Sequence, residues 1–184
     1  MEPSEVMTKT KWAIDPAHSE IGFSVKHLMF SKVRGRFKEF DAHIYTKGDD
    51  FMSAEIDVRI KSASIDTNIE QRDQHLRSAD FFDAEQFQEI RFTGSKLVAG
   101  NQEGHYVLYG ELTMKGIKKQ INLDVEFGPL IKDPFGAEKA LFNISGKINR
   151  KDWGLNYNAA LEAGGVLISE DVWIHCEVQL IKQV

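Results

Sequence analysis

Five rows of side chains in this chain alternate strictly between apolar and polar. A period of two dictates strands with one dry face and one wet face. Ile21, Phe23 and Val25 alternate with Gly22, Ser24 and Lys26. Ala54, Ile56, Val58 and Ile60 alternate with Glu55, Asp57, Arg59 and Lys61. Ile121 to Phe127, Ala140 to Ile148 and Val172 to Leu180 complete the set. Weaker rows fit Val33 to Thr46, Ile90 to Leu97 and Tyr106 to Met114. Between them stand turn formers such as Gly48-Asp49-Asp50, Gly100-Asn101, Lys115-Gly116 and Asp133-Pro134-Phe135-Gly136. Most of these connections are too short for a helical crossover, so the strands are antiparallel.

Two local irregularities are expected. In Val33 to Thr46 the apolar parity changes from odd (Val33, Phe37) to even (Phe40, Ala42, Ile44), which predicts a β-bulge near Lys38-Glu39. The polar, Gly- and Pro-free stretch Asn68 to Arg77 predicts the single helix, capped by Asp66 or Thr67, with Ile69 and Leu76 on one face. About eight strands in 184 residues must stack as a sandwich or close as a barrel, and pattern alone does not choose. No linker or repeat divides the chain. We expect a tail at residues 1–10 and one domain over 11–184.

Composition narrows the function. A net charge of -5, with no basic run longer than two residues, lacks the basic stripe of a nucleic-acid binder. The longest stretch free of charged residues, Trp153 to Leu161, is far shorter than the roughly 20 residues of a membrane-spanning helix. No secretory leader precedes the first strand, so a cytoplasmic location is expected. Phosphate loops and nucleophile elbows are absent. The lone Cys176 sits on the apolar parity of its strand and reads as a buried, inert thiol.

The polar candidates are fewer. His18, His27 and His75, with Asp73 beside the last, form a possible metal or acid–base cluster, although no HExxH or HxH pair exists. Arg72, His75 and Arg150 lie in charge clusters next to apolar residues, where they either bridge locally or mark a cavity mouth that holds a polar head. Twelve phenylalanines suit either a dry core or an apolar tunnel.

Five ordered blocks together resemble the YceI-like family. The first is Trp12-Ala13-Ile14-Asp15-Pro16-Ala17-His18-Ser19, continuing to His27; the second is Val33-Arg34-Gly35-Arg36-Phe37. The most specific is Arg72-Asp73-Gln74-His75-Leu76-Arg77-Ser78 through Asp83, followed by Ile90-Arg91-Phe92. Gly110-Glu111-Leu112-Thr113 to Gly116 and Arg150-Lys151-Asp152-Trp153-Gly154-Leu155 complete the likeness, which runs over about residues 11 to 182. Two turns depart from it. Phe87-Gln88 lacks the usual proline, and Gly116-Ile117-Lys118-Lys119 replaces Gly-x-Thr-Lys.

The resemblance implies an all-β, extended lipocalin-like eight-stranded antiparallel barrel with one short helical segment, often a homodimer. It implies a lumen that holds a long-chain amphiphile: a polyisoprenoid, an isoprenoid quinone or a fatty-acid derivative. No enzymatic activity and no cofactor are implied. On this reading the lining is Phe23, Phe37, Phe92, Leu123, Val125, Phe142, Ile144 and Ile174, while His18, His27, Arg72, His75 or Arg150 meets the ligand head or holds the mouth. A metal- or histidine-dependent enzyme acting on a lipid-like substrate, and a structural protein with a filled interior, are the competing readings. Trp173 and Ile181, on the wet parity of the last strand, hint at a covered outer face.

Overall fold

In the computed structural model, which describes residues 9–28, 30–158 and 168–183, the alternating rows become strands. They are β1 (Lys9–Ile14), β2 (Glu20–His27), β3 (Ser31–Phe37), β4 (Phe40–Lys47), β5 (Asp50–Lys61), β6 (Ile65–Asp66), β7 (Glu89–Ala99), β8 (His105–Met114), β9 (Ile117–Phe127), β10 (Ile131–Lys132), β11 (Glu138–Asn149) and β12 (Asp171–Lys182). Among the described residues one helix, α1 (Glu70–Arg77), and two short helical turns, Ser62–Ser64 and Arg150–Trp153, sit outside the sheet. The first strand starts at Lys9, inside the segment expected as tail.

Every described pairing is antiparallel, and the order closes on itself. Three of the eight staves are split: β1 with β2, β3 with β4, and β5 with β6. The others are β7, β8, β9, β11 and β12. Closure comes from β12. One of its edges pairs with β11 along its whole length, from Lys139↔Ile181 to Asn149↔Asp171. Its other edge takes β1 at one end and β2 at the other. Closure removes most of the edge that could recruit another chain, although among the described residues β9 meets β11 only over Asp124 to Phe127 and β3 meets β6 only at Arg36 and Phe37. Of the two architectures that strand pattern left open, the structure is the eight-stranded barrel that the family resemblance implies.

Lys38-Glu39 is not a bulge but the break between β3 and β4. The neighbouring staves break at the same level, at Asp15–Ser19 and at Ser62–Ser64. The backbone there bonds across the gaps instead of along a ladder: Lys38 N–H donates to Ser64 O (3.1 Å) and Lys61 N–H to Glu39 O (3.0 Å). Parity had to change because Phe37 pairs with Ile65 while Phe40 pairs with Ile60, with unequal lengths of chain in between. Bulge-like register shifts occur elsewhere, between Tyr45 and Lys47 and between Gly94 and Lys96. The first of these turns Phe51 inward although it lies off the Ala54–Ile60 parity.

The helix begins at Glu70, two residues later than expected, and neither Asp66 nor Thr67 caps it. Asn68 has φ 68, which the polar side chain of Asn tolerates and which stops a helix from starting there. Asp73 instead reaches back from inside the helix. Its buried carboxylate accepts from Thr67 N–H (2.9 Å) and from Thr67 Oγ1. Ile69 stays half exposed, and only Leu76 packs on the core.

Each end of the barrel has a fully buried tryptophan whose ring N–H is satisfied. Trp12 Nε1 donates to Thr46 Oγ1 (2.9 Å), and Trp153 Nε1 donates to Leu112 O (2.9 Å). An apolar ring that large is stable inside only if its one polar atom keeps a partner.

Candidate functional site

All five alternating rows point their apolar members into the barrel. Between them runs a cavity of about 490 Å³, inside the roughly 300–1,000 Å³ of small-molecule sites. Its walls include Phe23, Phe37, Phe92, Leu123, Val125, Phe142, Ile144 and Ile174. The walls are long strands, so the cavity is long, and its polar groups are confined to one end.

The end near Trp12 is shut. Phe51 contacts Trp12 (ring centroids 4.9 Å), Phe127 (5.3 Å) and Phe142 (5.2 Å), and Phe127 meets Phe142 at 4.8 Å. Edge-to-face and tilted rings of this kind form a dry plug. At the other end the lining turns half exposed and polar: His27, Arg72, His75, Tyr157 and the buried Arg150. There His75, Phe81 and Tyr157 form an aromatic triangle, with centroids 4.7 to 5.1 Å apart. This is the open end.

The polar candidates play different parts. Arg72 donates through Nε to Thr67 Oγ1 and through a terminal nitrogen to Thr67 O, both at 2.7 Å. Among the described residues it has no ion pair, and it lines the cavity. His75 Nε2 lies 2.9 Å from Asp80 Oδ2. His27 bridges to Ile168 at the root of the β2–β3 hairpin.

Arg150 is committed to the backbone. It donates to Ser169 O (2.9 Å), Leu155 O, Tyr157 O (2.9 Å) and Ile168 O (3.4 Å), so it braces the segments that frame the opening. Burial pulls its pKa down, and the charge of Glu170 opposes that shift.

His18 does not belong to this set. It sits in the break between β1 and β2 and bonds Asp15 Oδ2 through Nδ1 (2.8 Å), outside the lining. Burial raises the Asp15 carboxyl, but hydrogen bonds from His18 and the Ala17 N–H, with the charges of His18 and Lys139, outweigh it and hold the pKa low. The three histidines considered as a metal cluster therefore do not converge. Among the described residues no three His, Cys, Asp or Glu side chains come together as a metal site.

Cys176 lines the cavity as a buried thiol, and burial pushes its pKa up to about 11. Sequence reasoning missed Tyr157 and Ile168, which lie outside any alternating row; Arg150 holds both by their carbonyls, Asn158 bonds Ile168, and Tyr157 packs on His75 and Phe81. Trp173, read as a hint of a covered outer face, has Lys26 Nζ 5.5 Å over its ring.

The model of the YceI-like domain matches residues 12–180. The chain belongs to the YceI-like family. This YceI-like protein is 40% identical over 164 residues to the UPF0312 protein SA2479 of Staphylococcus aureus strain N315, covering 89% of this chain and 92% of that one. It is similar to the crystal structure of the Campylobacter jejuni YCEI protein, at 33% identity and a TM-score of 0.72 over 86% of this chain and 90% of that one. It also shares its fold with a polyisoprenoid binding domain from Saccharophagus degradans, at 16% identity and a TM-score of 0.72 over 94% and 98% of the two chains. Among the described residues no helix is long and apolar enough to cross a membrane.

Proposed function

We propose that the protein binds one long-chain amphiphile inside the barrel, without chemical turnover. A polyisoprenoid, an isoprenoid quinone or a fatty-acid derivative has the right form: an extended apolar tail with one polar head. The observation that carries this reading is the cavity itself, apolar along its walls, plugged by aromatics at one end and polar only at the other. The polyisoprenoid-binding description of the Saccharophagus degradans neighbour supports the same ligand class.

The energetics are adequate. Each buried methylene contributes about 0.8 kcal/mol. A chain of about fifteen carbons therefore offsets much of the roughly 4–15 kcal/mol that association costs, before any polar contact. The head then lies by Arg72, His75 and His27, while Arg150 keeps the opening in shape.

Native mass spectrometry of gently purified protein, followed by organic extraction, tests the proposal. A co-purified lipid, or stoichiometric uptake of an added quinone or fatty acid, is the expected result. Protein that is lipid-free and takes up neither overturns it. Alanine at Arg72 or His75 is expected to change head-group preference more than tail-length preference.

A further inference from the structure

We infer that the outer face of the β2–β3 hairpin docks this protein on an anionic lipid bilayer, with the open end of the lumen beside the membrane. Residues 21–38 contain Lys26, Lys32, Arg34, Arg36 and Lys38 and no acidic side chain, in a chain whose net charge is -5. Strand alternation spaces these charges two apart, so no basic run betrays them in the sequence. Folding puts them on one face. Lys26 pairs across the hairpin with Lys32, Ser24 with Arg34 and Gly22 with Arg36, and all four basic residues are exposed.

Their partners are few. Asp66 faces Arg36 at 3.5 Å and Lys38 at 3.9 Å. Lys26 lies over the ring of Trp173. Lys32 and Arg34 have no ion pair among the described residues. Like charges facing one another across a ladder destabilise it. Only Lys26 and Lys32 are directly opposite here, and that pair is therefore unfavourable for folding alone and favours an external anion.

The tip of the same hairpin is apolar. Phe30 is 91% exposed and Leu28 48% exposed. The sequence between the paired residues His27 and Ser31 is Leu-Met-Phe, without the Gly, Asn or Asp that turns favour. Leu28 holds φ 55, a conformation better suited to Gly or Asn. Exposed apolar side chains rimmed by lysine and arginine are the pattern of a segment that lies in a headgroup layer. Trp173 beside Lys26 suits the same depth, with its ring in the interface and the ammonium among phosphates. A nucleic acid would satisfy the charges but leave Leu28 and Phe30 in water. His27, at the base of the tip, lines the cavity, so a bilayer touching the tip lies next to the opening.

Flotation of the full chain with vesicles tests this. Binding is expected to phosphatidylcholine–phosphatidylglycerol vesicles at low salt, to be weak on phosphatidylcholine alone, and to fall as salt shortens the screening length. The double variant Lys32→Glu, Arg34→Glu is expected to bind about tenfold more weakly or worse. Leu28→Ser with Phe30→Ser is expected to lose binding on the same vesicles. Phe135, 96% exposed in the turn between β10 and β11 at the opposite end, supplies the control: Phe135→Ser keeps wild-type binding.

No flotation, unchanged flotation of the charge-reversed variant, equal loss in Phe135→Ser, or retention by an oligonucleotide instead of vesicles overturns the inference. The test does not depend on what fills the lumen. Lipid uptake delivered from organic solvent is scored separately, so failure of docking and failure of binding are distinguishable.

Discussion

The ring of Phe23 lies across Gly35 of the neighbouring strand so closely that a Cβ on Gly35 would fall 2.4 Å from the ring's Cζ. Glycine there is a seat for the aromatic ring, which keeps Phe23 against the wall instead of in the lumen. Gly35→Ala is expected to push the ring towards Phe37, whose centroid is 5.7 Å away, and into the cavity. Overpacking of this kind costs about 1–3 kcal/mol. Affinity for a long apolar probe is expected to fall more than affinity for a short one, as read by displacement of a fluorescent fatty acid. Equal affinities for wild type and variant would remove Phe23 from the ligand path.

Asp73 ties α1 to the chain before it through two bonds from Thr67. Asp73→Ala leaves the buried Thr67 N–H and hydroxyl without that acceptor, at about 1–3 kcal/mol. For a chain of this size that lowers Tm by roughly 2–10 °C. Asp73→Asn keeps an acceptor oxygen and is expected to lose less. Thermal melts of the two variants side by side check the order.

Arg150 holds four carbonyls from one planar group. Lysine has no such fork, so Arg150→Lys is expected to behave more like Arg150→Ala than a conservative change would. Truncation leaves buried carbonyls without their donor, which is expected to cost at least about 1–3 kcal/mol. Urea unfolding measures it, and faster amide exchange at Leu155 and Tyr157 would localise the effect at the opening.

Cys176 predicts a pH dependence with a definite sign. Burial raises its pKa from 9.0 to about 11, so the folded state holds its proton where the unfolded state has lost it. Folding stability from this group is therefore full below pH 9 and declines as pH rises from about 9 towards 11. Cys176→Ala or Cys176→Val is expected to flatten that decline. A thiol reagent at pH 8 is expected to label the native protein far more slowly than the urea-unfolded chain.

The likeness between reading and structure is uneven for physical reasons. Alternation located the walls because a period of two leaves no freedom about which side chains share a face; Leu123 and Val125 faced inward as soon as β9 was a strand. It failed where backbone bonding departs from the ladder. At Lys38-Glu39 the chain breaks instead of bulging, because two neighbouring staves break at the same level. At Asn68 a positive φ delays the helix, and no composition rule foresees it. His18 shared a motif block with His27, yet the break between β1 and β2 puts it on Asp15, away from the lumen.

By itself, then, the order of residues determined which side chains avoid water, that the strands run antiparallel, and, through five motif blocks, the family. Alternation did not choose between sandwich and barrel, which only the family resemblance implied; tertiary structure decided how the sheet closes, that a cavity of about 490 Å³ survives between its walls, and that one end is plugged while the other is polar. The reason is range. Periodicity is set by neighbours along the chain, whereas closure, the plug of Trp12, Phe51, Phe127 and Phe142, and the grip of Arg150 join residues far apart in sequence, whose meeting depends on register and packing summed around the whole barrel.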